Sequence, residues 1–254
     1  MTPEQLYAAM DLPESALLGK RVFKKLFHEN AALTAADKKA LSKDVDTITW
    51  QYTLKPATIP VAAYEDDERE YLEIAIIECA INERRNAARI AEVVHRAIPY
   101  PVVVVLHHAV DAPAVAVSVA HKRMSRAQRG AVVAEDFLQT PWMSDQEPLP
   151  SQGEFLRHLR LGTLQQTHFL AFYTAIVARV LAMVAAAISG RYQLKEQVPE
   201  AERRQRLERC RALTREAGEV RAAIRQESSF ARQVEMNSSL KSIEQRLAKE
   251  TAEL

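Results

Sequence analysis

Up to residue 148, short apolar runs alternate with polar turns, a pattern that predicts β-strands. The segment TITWQYTL, Thr47 to Leu54, alternates and is rich in β-branched and aromatic residues, so it is typical of a strand. The next run, YLEIAIIECAI, is almost continuously apolar, which indicates a strand buried on both faces. The segments PYPVVVVLHH, APAVAVSVAHK and GAVVAEDFLQ predict further strands.

Helical patterns interrupt these strands. A helix is predicted from Pro3 to Met10, and another after Thr34, an N-cap residue with Asp37 at the capping-box position. The segment ERRNAARIAEVVHRAI has helical period and lies between two predicted strands, so those strands should pair in parallel through a right-handed crossover. The acidic run YEDDERE is predicted to be a loop. Because strands and helices do not alternate strictly, the pattern predicts an α+β fold with a mixed sheet.

The pattern changes near PLPSQG, residues 148–153, and is almost entirely helical afterwards. We therefore predict a mixed α+β domain over residues 1–148 and a helical or coiled-coil region over residues 149–254. Glu154 to Ser189 predicts one or two helices, with Gly190 as the stop. Pro199 begins a long polar helix that extends toward the C-terminus.

Two apolar stripes at coiled-coil spacing run through this C-terminal segment. The first comprises Leu213, Ala217, Val220 and Ile224, and the second comprises Met236, Leu240, Ile243 and Leu247. The stripes do not share one register, so ESSF between them predicts a stutter, a kink or the turn of a helical hairpin.

The second stripe predicts a surface that another element covers. A polar helix gains little stability alone and depends on packing its stripe. The cover is the helix Glu154–Ser189 of the same chain, another copy of the chain, or a partner protein. The predicted interface consists of Val234, Met236, Asn237, Leu240, Ile243 and Leu247, with Asn237 as a register-setting polar residue.

Composition narrows the class of protein. The formal net charge of the chain is +1, so the net charge by itself gives no indication of a polyanion binder. Only Cys79 and Cys210 occur, and the start of the chain has no secretion-signal pattern, so we expect a cytoplasmic protein without disulfide bonds. The apolar segment His168 to Ile188 is long enough to cross a bilayer, but its central Arg179 favours a buried helix of a soluble protein.

Acidic residues beside the buried strand suggest one kind of catalytic site. Nucleases of the restriction type hold a divalent metal with carboxylates and a lysine on adjacent strands. Glu73 and Glu78 lie in suitable places, but Ala80 stands where the lysine belongs. His107 and His108 are adjacent on a strand and point to opposite faces, so they do not chelate one ion. No phosphate-binding or nucleophile motif occurs, and we assign no catalytic residue, metal ligand or cofactor.

Basic residues offer a nucleic-acid contact. The segment His121 to Gly130 is predicted to be a loop with phosphate-binding side chains, and its alternative is a solvated hairpin tip. A second basic run, GKRVFKK, lies near the start, and neither run has an evident exposed aromatic residue for base stacking. The candidate contacts in the loop are Lys122, Arg123, Arg126 and Arg129.

Several of these segments together resemble a bacterial family, domain-of-unknown-function family 4391. The similarity covers nearly the whole chain and ends in the C-terminal segment FARQVEMNSSLKSIEQRL. It includes a basic-Phe-Asn segment, an Ile-x-Trp strand and a Leu-x-Pro-x-Thr-Ile element, here Lys24, Phe27, Asn30, Ile48, Trp50, Leu54, Pro56, Thr58 and Ile59. The resemblance implies a gene context beside helicases and DNA methyltransferases in anti-phage, restriction-like loci. It implies no catalytic residues.

These observations predict a non-catalytic accessory or adaptor subunit of a bacterial DNA-defence complex. Its expected partners are a helicase, a methyltransferase or a nuclease of the same locus, and homo-oligomerisation and weak DNA contact stay open. No membrane partner is expected. Two alternatives remain at this point: a module that binds the DNA backbone through the basic loop, and a divergent metal-dependent nuclease.

Overall fold

The computed structural model describes residues 1–109, 112–127 and 130–254 and has an α+β fold, as predicted. The chain divides into two compact units. We call Met1–Val184 the sheet unit and Ala185–Leu254 the hairpin unit.

Helices and strands account for most of the described residues. The helices are α1 (Pro3–Met10), α2 (Lys24–Asn30), α3 (Ala35–Lys43), α4 (Ala87–Ala97), α5 (Gln152–His158), α6 (Phe169–Ser189), α7 (Glu200–Gln226) and α8 (Phe230–Ala252). The strands are β1 (Leu17–Arg21), β2 (Val45–Leu54), β3 (Tyr64–Glu65), β4 (Glu70–Tyr71), β5 (Ile74–Ile81), β6 (Val102–His108), β7 (Ala114–Met124), β8 (Val132–Gln139) and β9 (Met143–Ser144).

The sheet is mixed, with strand order β1-β2-β5-β6-β7-β8 and the short β9 paired to β7. Strands β5 and β6 are parallel, whereas the other neighbours are antiparallel. Helix α4 connects β5 to β6, and the two strands pair in parallel, as predicted. The acidic run predicted to be a loop contains most of a small hairpin, in which β3 pairs with β4.

Helices α2, α3 and α4 cover one face of the sheet. Apolar residues of these helices form one buried cluster with β2, β5 and β6. Helix α3 begins as the sequence predicts, because the Thr34 hydroxyl accepts from the Asp37 amide and the Asp37 carboxylate accepts from the Thr34 amide. That buried carboxylate also pairs with Arg89 and Arg96 of α4, so one local cap joins two helices.

Helices α1 and α6 supply contacts to other parts of the sheet. The Tyr7 hydroxyl of α1 donates to Glu78 of β5. In α6, the Tyr173 hydroxyl donates to the Val102 carbonyl at 2.7 Å and accepts from the Ala120 amide at 3.1 Å. These long-range bonds fix both helices to strands far away in sequence.

Helix α6 is the one described helix that is long and apolar enough to cross a membrane, and 72% of its most apolar window is buried within the protein. Its Arg179 donates to the carbonyls of His158, Ala175 and Thr163. The guanidinium therefore has protein acceptors inside the fold, as expected for a buried helix of a folded domain.

The chain divides into its compact units within α6, between Val184 and Ala185, whereas the boundary predicted at 148/149 stays a prediction. The change in sequence pattern marks where helices replace strands. It does not mark where packing ends, because Phe169, Phe172 and Tyr173 of α6 are buried in the sheet unit. Gly190 follows α6 with a positive φ of 73°, as a glycine at a helix end often does.

The hairpin unit contains α7 and α8, which run antiparallel. Arg209 pairs with Glu250 at 3.1 Å, and Arg221 pairs with Glu244 at 2.6 Å, so residue numbers rise on one helix as they fall on the other. The break at residues 227–229 is therefore the turn of a helical hairpin, one of the alternatives that the two stripes predicted.

Candidate functional site

Lys122 does not belong to a basic loop. Strand β7 continues to Met124, so Lys122 is a strand residue, and its side chain is only 2% exposed. The ammonium donates to the Ile98 carbonyl at 2.9 Å and to the His95 carbonyl. The charged group of Lys122 therefore lies inside the sheet unit, which disfavours the predicted nucleic-acid contact at this residue, and that contact stays a prediction.

The buried ammonium serves the end of α4 instead. The last carbonyls of a helix lack intrahelical donors, and a cation at that end also interacts favourably with the helix dipole. Burial lowers the pKa of Lys122 to about 7. Beside it, His95 is fully buried with its Nε2 3.2 Å from the Ser118 hydroxyl, and burial and the nearby lysine lower the pKa of His95. This cluster joins α4 to β7.

The other cations of the predicted loop have acidic neighbours. Arg123 pairs with Glu135 of β8, and Arg126 pairs with Glu68 at 2.9 Å. Glu135 also pairs with Arg69 at 3.1 Å. Arg129 lies outside the described residues. Arg123 and Arg126 therefore belong to ion pairs that a phosphate must compete with, and their contact with DNA stays a prediction.

Glu78 is the centre of a polar network on β5. Its Oε2 accepts from the Tyr7 hydroxyl at 2.8 Å and from the Gln51 side-chain amide at 2.9 Å. Burial, and next the negative charge of Glu78, raise the pKa of Tyr7 far above its ordinary value. Through these two hydrogen bonds, the Glu78 carboxylate of β5 connects to α1 and to β2.

The same network lacks the groups of a metal-dependent nuclease. Strand β2 presents Gln51 to Glu78, and a neutral amide is a weaker ligand for a hard cation than a carboxylate. Ala80 follows at the position of the lysine. Within residues 1–109, 112–127 and 130–254, no three histidine, cysteine, aspartate or glutamate side chains are grouped as metal ligands. The described residues around Glu78 therefore form a hydrogen-bond network.

The predicted interface on α8 is divided between two environments. Ile243 is buried against Leu213 and Ala217 of α7, and Leu240 and Leu247 pack around this cluster. These three residues are therefore covered by the same chain, and by α7 rather than by Glu154–Ser189. The cover follows from the hairpin turn, which folds the second stripe onto the first.

The remaining part of the predicted interface is still accessible. Val234 is 53% exposed, Met236 is half-buried, and Asn237 is exposed and donates to the Gln233 carbonyl at 2.8 Å. Phe230, which sequence reasoning did not select, is 79% exposed at the first turn of α8. We call Phe230 and Val234 the hairpin tip. The signal that identifies this pair is the i, i+4 spacing of two apolar residues directly after a helix break.

Residues that carry the family resemblance are mainly structural. Phe27 and Ile48 belong to the buried cluster under α4. The Trp50 indole donates to the Thr53 hydroxyl at 2.8 Å, and the Thr58 hydroxyl accepts from the Lys55 amide at 2.9 Å. The motif positions thus build the strand β2 and the turn after it.

The chain was compared with protein families, curated proteins and solved structures. A family model described as "Domain of unknown function (DUF4391)" matches residues 10–247. The comparisons with curated proteins and with solved structures found no match. The matched range includes most of the sheet unit and most of the hairpin unit.

Proposed function

Since the chain belongs to the family described as "Domain of unknown function (DUF4391)", we propose that it is a non-catalytic accessory subunit of a bacterial DNA-defence complex. In this proposal the protein is cytoplasmic and docks onto a helicase, methyltransferase or nuclease of the same locus. The gene context is what the family resemblance implies. The docking element is the hairpin tip.

The observation that carries the proposal is the exposure of Phe230 and Val234 beside the packed stripe between α7 and α8. We call this stripe the seam; it comprises Leu213, Ala217, Leu240, Ile243 and Leu247. A large aromatic side chain left 79% exposed at the end of a helical hairpin has no role in the stability of that hairpin. Aromatic residues are enriched at the centres of protein interfaces, where they bury a large apolar area at little entropic cost. The tip therefore has the composition of an anchor for a partner protein.

The polar networks of the sheet unit agree with a non-catalytic role. The Glu78 carboxylate has two protein donors, Tyr7 and Gln51, and strands β2 and β5 contain no lysine. The Lys122 ammonium donates to the His95 and Ile98 carbonyls at the end of α4. Neither group is free to act on a substrate, which disfavours both the nuclease alternative and a four-cation phosphate contact.

The test is co-expression with the neighbouring genes of the locus, followed by affinity purification of the full chain. Phe230→Ser with Val234→Ser should abolish recovery of the partner, because the anchor is lost without a change in the seam. The matched control is Ser229→Ala with Glu235→Gln, which alters exposed residues at the same end of α8. Leu240→Asp with Leu247→Asp is a less suitable test, because it places charges in the packing between α7 and α8 and disrupts the hairpin.

Full recovery of the partner with the tip variant, when circular dichroism shows an intact helix content, contradicts docking through the tip. Catalysis is tested separately by incubating the purified protein with DNA and magnesium or manganese. We expect no cleavage. Cleavage that disappears in Glu78→Ala or Glu73→Ala overturns the non-catalytic assignment and restores the nuclease alternative.

A further inference from the structure

One edge of the sheet is open. Strand β1 is the terminal strand and pairs only with β2 in the part of the chain that the structure describes. All five of its residues are exposed. A terminal strand presents unpaired amides and carbonyls, to which an extended peptide from another protein can add as a further strand.

Apolar side chains surround this edge. Leu17 is 52% exposed, Phe23 is 73% exposed, and Leu18 and Leu26 are exposed as well. A cavity of about 320 Å³ opens beside the first residues of β1. Its walls include Leu17, Leu18 and Trp50, and its charged groups are Lys55 and Glu73. A cavity of this size accommodates one or two apolar side chains of a docked segment.

The edge is also basic. Lys20 and Arg21 are exposed, and neither has an ion-pair partner among the described residues, whereas the nearby Lys25 pairs with Glu29 at 3.4 Å. The strand sequence LLGKR contains no acidic residue. A partner that lies along β1 therefore meets two unpaired positive charges next to a cavity of mixed character, whose apolar walls include Leu17, Leu18 and Trp50.

We propose that β1 is a docking edge for an extended acidic segment of a partner protein, which adds to the sheet as a strand and places an apolar side chain in the adjacent cavity. Acidic residues of the segment pair with Lys20 and Arg21, and its backbone pairs with the open edge. This inference concerns the sheet unit and stands independently of docking through the hairpin tip.

Two other occupants fit the edge less well. A second copy of the chain paired through β1 would bring two Lys20 and two Arg21 side chains together without an acidic residue of β1 between them, and like charges across neighbouring strands are destabilising. A nucleic acid would satisfy the cations but would leave Leu17, Leu18 and the open backbone groups without partners. An acidic peptide satisfies all three features.

Lysines and bulges also protect edge strands against unwanted pairing. Strand β1 has both, because the register shifts between Leu17 and Lys20 and Gly19 has a positive φ of 60°. Protection does not require exposed leucines and a cavity at the same edge, however. The bulge instead limits pairing to a short segment, which suits a peptide better than the long edge of a folded sheet.

The experiment is selection from a random octapeptide library displayed on phage, with the full chain as target. We expect enriched peptides to alternate acidic and apolar residues. An enriched peptide, labelled with fluorescein, should bind in an anisotropy titration. Lys20→Glu with Arg21→Glu should weaken it by about tenfold or more, because opposite charges become like charges. Glu→Gln changes within the peptide should weaken binding in the same direction, and Leu17→Ser with Leu18→Ser should weaken it through loss of the apolar contact.

The matched control is Lys38→Glu with Lys39→Glu on α3, which makes the same charge change at exposed positions and should leave peptide affinity unchanged. Hydrogen exchange should show slower exchange of β1 amides in the peptide complex. The variant Phe230→Ser with Val234→Ser should bind the peptide normally, which separates this edge from the hairpin tip.

Several results overturn the proposal. One is the absence of enriched acidic peptides, and another is binding that the β1 variants do not weaken. Salt-sensitive binding of a duplex oligonucleotide that is lost in Lys20→Glu with Arg21→Glu, without peptide binding, assigns the edge to nucleic acid. A dimer of the wild-type chain that Leu17→Ser with Leu18→Ser dissociates assigns it to a second copy.

Discussion

The two units bury charged and polar side chains in different ways. In the sheet unit, Asp37, Lys122 and Arg179 are all buried and hydrogen-bonded, so charged residues form part of the interior. Between α7 and α8 of the hairpin unit, the buried cluster is apolar, and ion pairs such as Arg221–Glu244 are more exposed. Helical periodicity is therefore a reliable guide to burial along the hairpin seam, whereas charge is a poor guide to exposure in the sheet unit.

The difference has a geometric cause. A two-helix hairpin buries a narrow stripe, so charged side chains that flank the stripe, such as Arg221, reach water. Arg203, near the start of α7, is an exception: it is buried and donates to the Gln193 and Leu194 carbonyls. A residue of a central strand is enclosed by neighbouring strands and by a helix on its face, so a lysine there must find its acceptors within the protein. The buried charges of Asp37 and Lys122 connect α3, α4 and β7 of the sheet unit. In the hairpin, the apolar contacts of the seam stabilise the packing of α7 on α8.

The largest expected effect is in the hairpin seam. Ile243→Asp places a charge between Leu213 and Ala217, and an unpaired buried charge costs about 4 kcal/mol or more. We expect rapid hydrogen exchange throughout α7 and α8 and early proteolysis there. The amides of β5 and β6 should keep their protection.

The control for this change is Ser242→Asp, which adds the same charge at an exposed neighbouring position. Unchanged protection of α7 and α8 in Ile243→Asp would show that the seam does not hold the hairpin. Loss of protection in β5 and β6 as well would show that the two units do not unfold separately.

Lys122 is the sharpest test of buried charge in the sheet unit. Lys122→Ala leaves a cavity and removes the donor to the His95 and Ile98 carbonyls, which should cost about 2–4 kcal/mol in urea unfolding. Lys122→Met keeps the volume and should cost less. Lys38→Ala, at an exposed position, should cost little. A harmless Lys122→Ala contradicts the role of this side chain at the end of α4.

The same lysine predicts a pH dependence. Its pKa in the folded protein is about 7, lowered from the ordinary 10.5, so between these values the unfolded chain holds a proton that the folded chain has released. Stability should therefore rise with pH over this range. Urea unfolding of the wild type should improve relative to Lys122→Met between pH 7 and pH 10. An equal pH dependence of the two proteins would contradict this assignment.

Asp37 should give a smaller change in the free energy of unfolding than Lys122. Because Asp37 is an acid whose pKa is lowered, its contribution is lost on the acid side of the pH range. Burial raises the pKa of Asp37, but the Thr34 amide and the pairs with Arg89 and Arg96 outweigh it and lower the pKa to about 2. The stability from this charge is present above the ordinary pKa of 3.8 and is lost as the pH falls toward 2.

Asp37→Asn should thus remove about 2 kcal/mol at pH 6 and flatten the acid side of the unfolding profile, relative to the wild type. Asp46→Asn makes the same chemical change at an exposed position of β2 and serves as the control. If the stability of Asp37→Asn falls between pH 4 and pH 2 as steeply as that of the wild type, the helix cap and its arginines do not stabilise this charge.

The smallest effect is expected at Arg126. Its pair with Glu68 is exposed, and such pairs contribute about 0.5 kcal/mol or less, so Arg126→Ser should hardly change the unfolding midpoint. We also expect the dependence of DNA affinity on salt to stay the same. A slope reduced by about 0.9 would count as one lost phosphate contact and would restore part of the basic-loop hypothesis.

The sequence by itself determined the features that depend on neighbours a few residues apart. The cap of α3 at Thr34, the end of α6 at Gly190 and the turn between α7 and α8 follow from local hydrogen bonds and helical period. The strand, helix, strand order predicts parallel pairing of β5 and β6, because a crossover helix returns the chain to the end of the sheet where the first strand began. The α+β class and the family membership were also within its reach.

Only the tertiary structure decided which side chains are exposed to solvent and which have hydrogen-bond partners within the protein. Lys122 meets the end of α4, and Glu78 meets Tyr7, across distances in sequence that no local pattern encodes. Strand β1 has little strand propensity and forms because β2 offers it a partner. The exposure of Leu17, Lys20 and Phe230 likewise depends on what folds against them. Local structure comes from short-range bonds, whereas access to a side chain is set by the packing of elements that are distant along the chain.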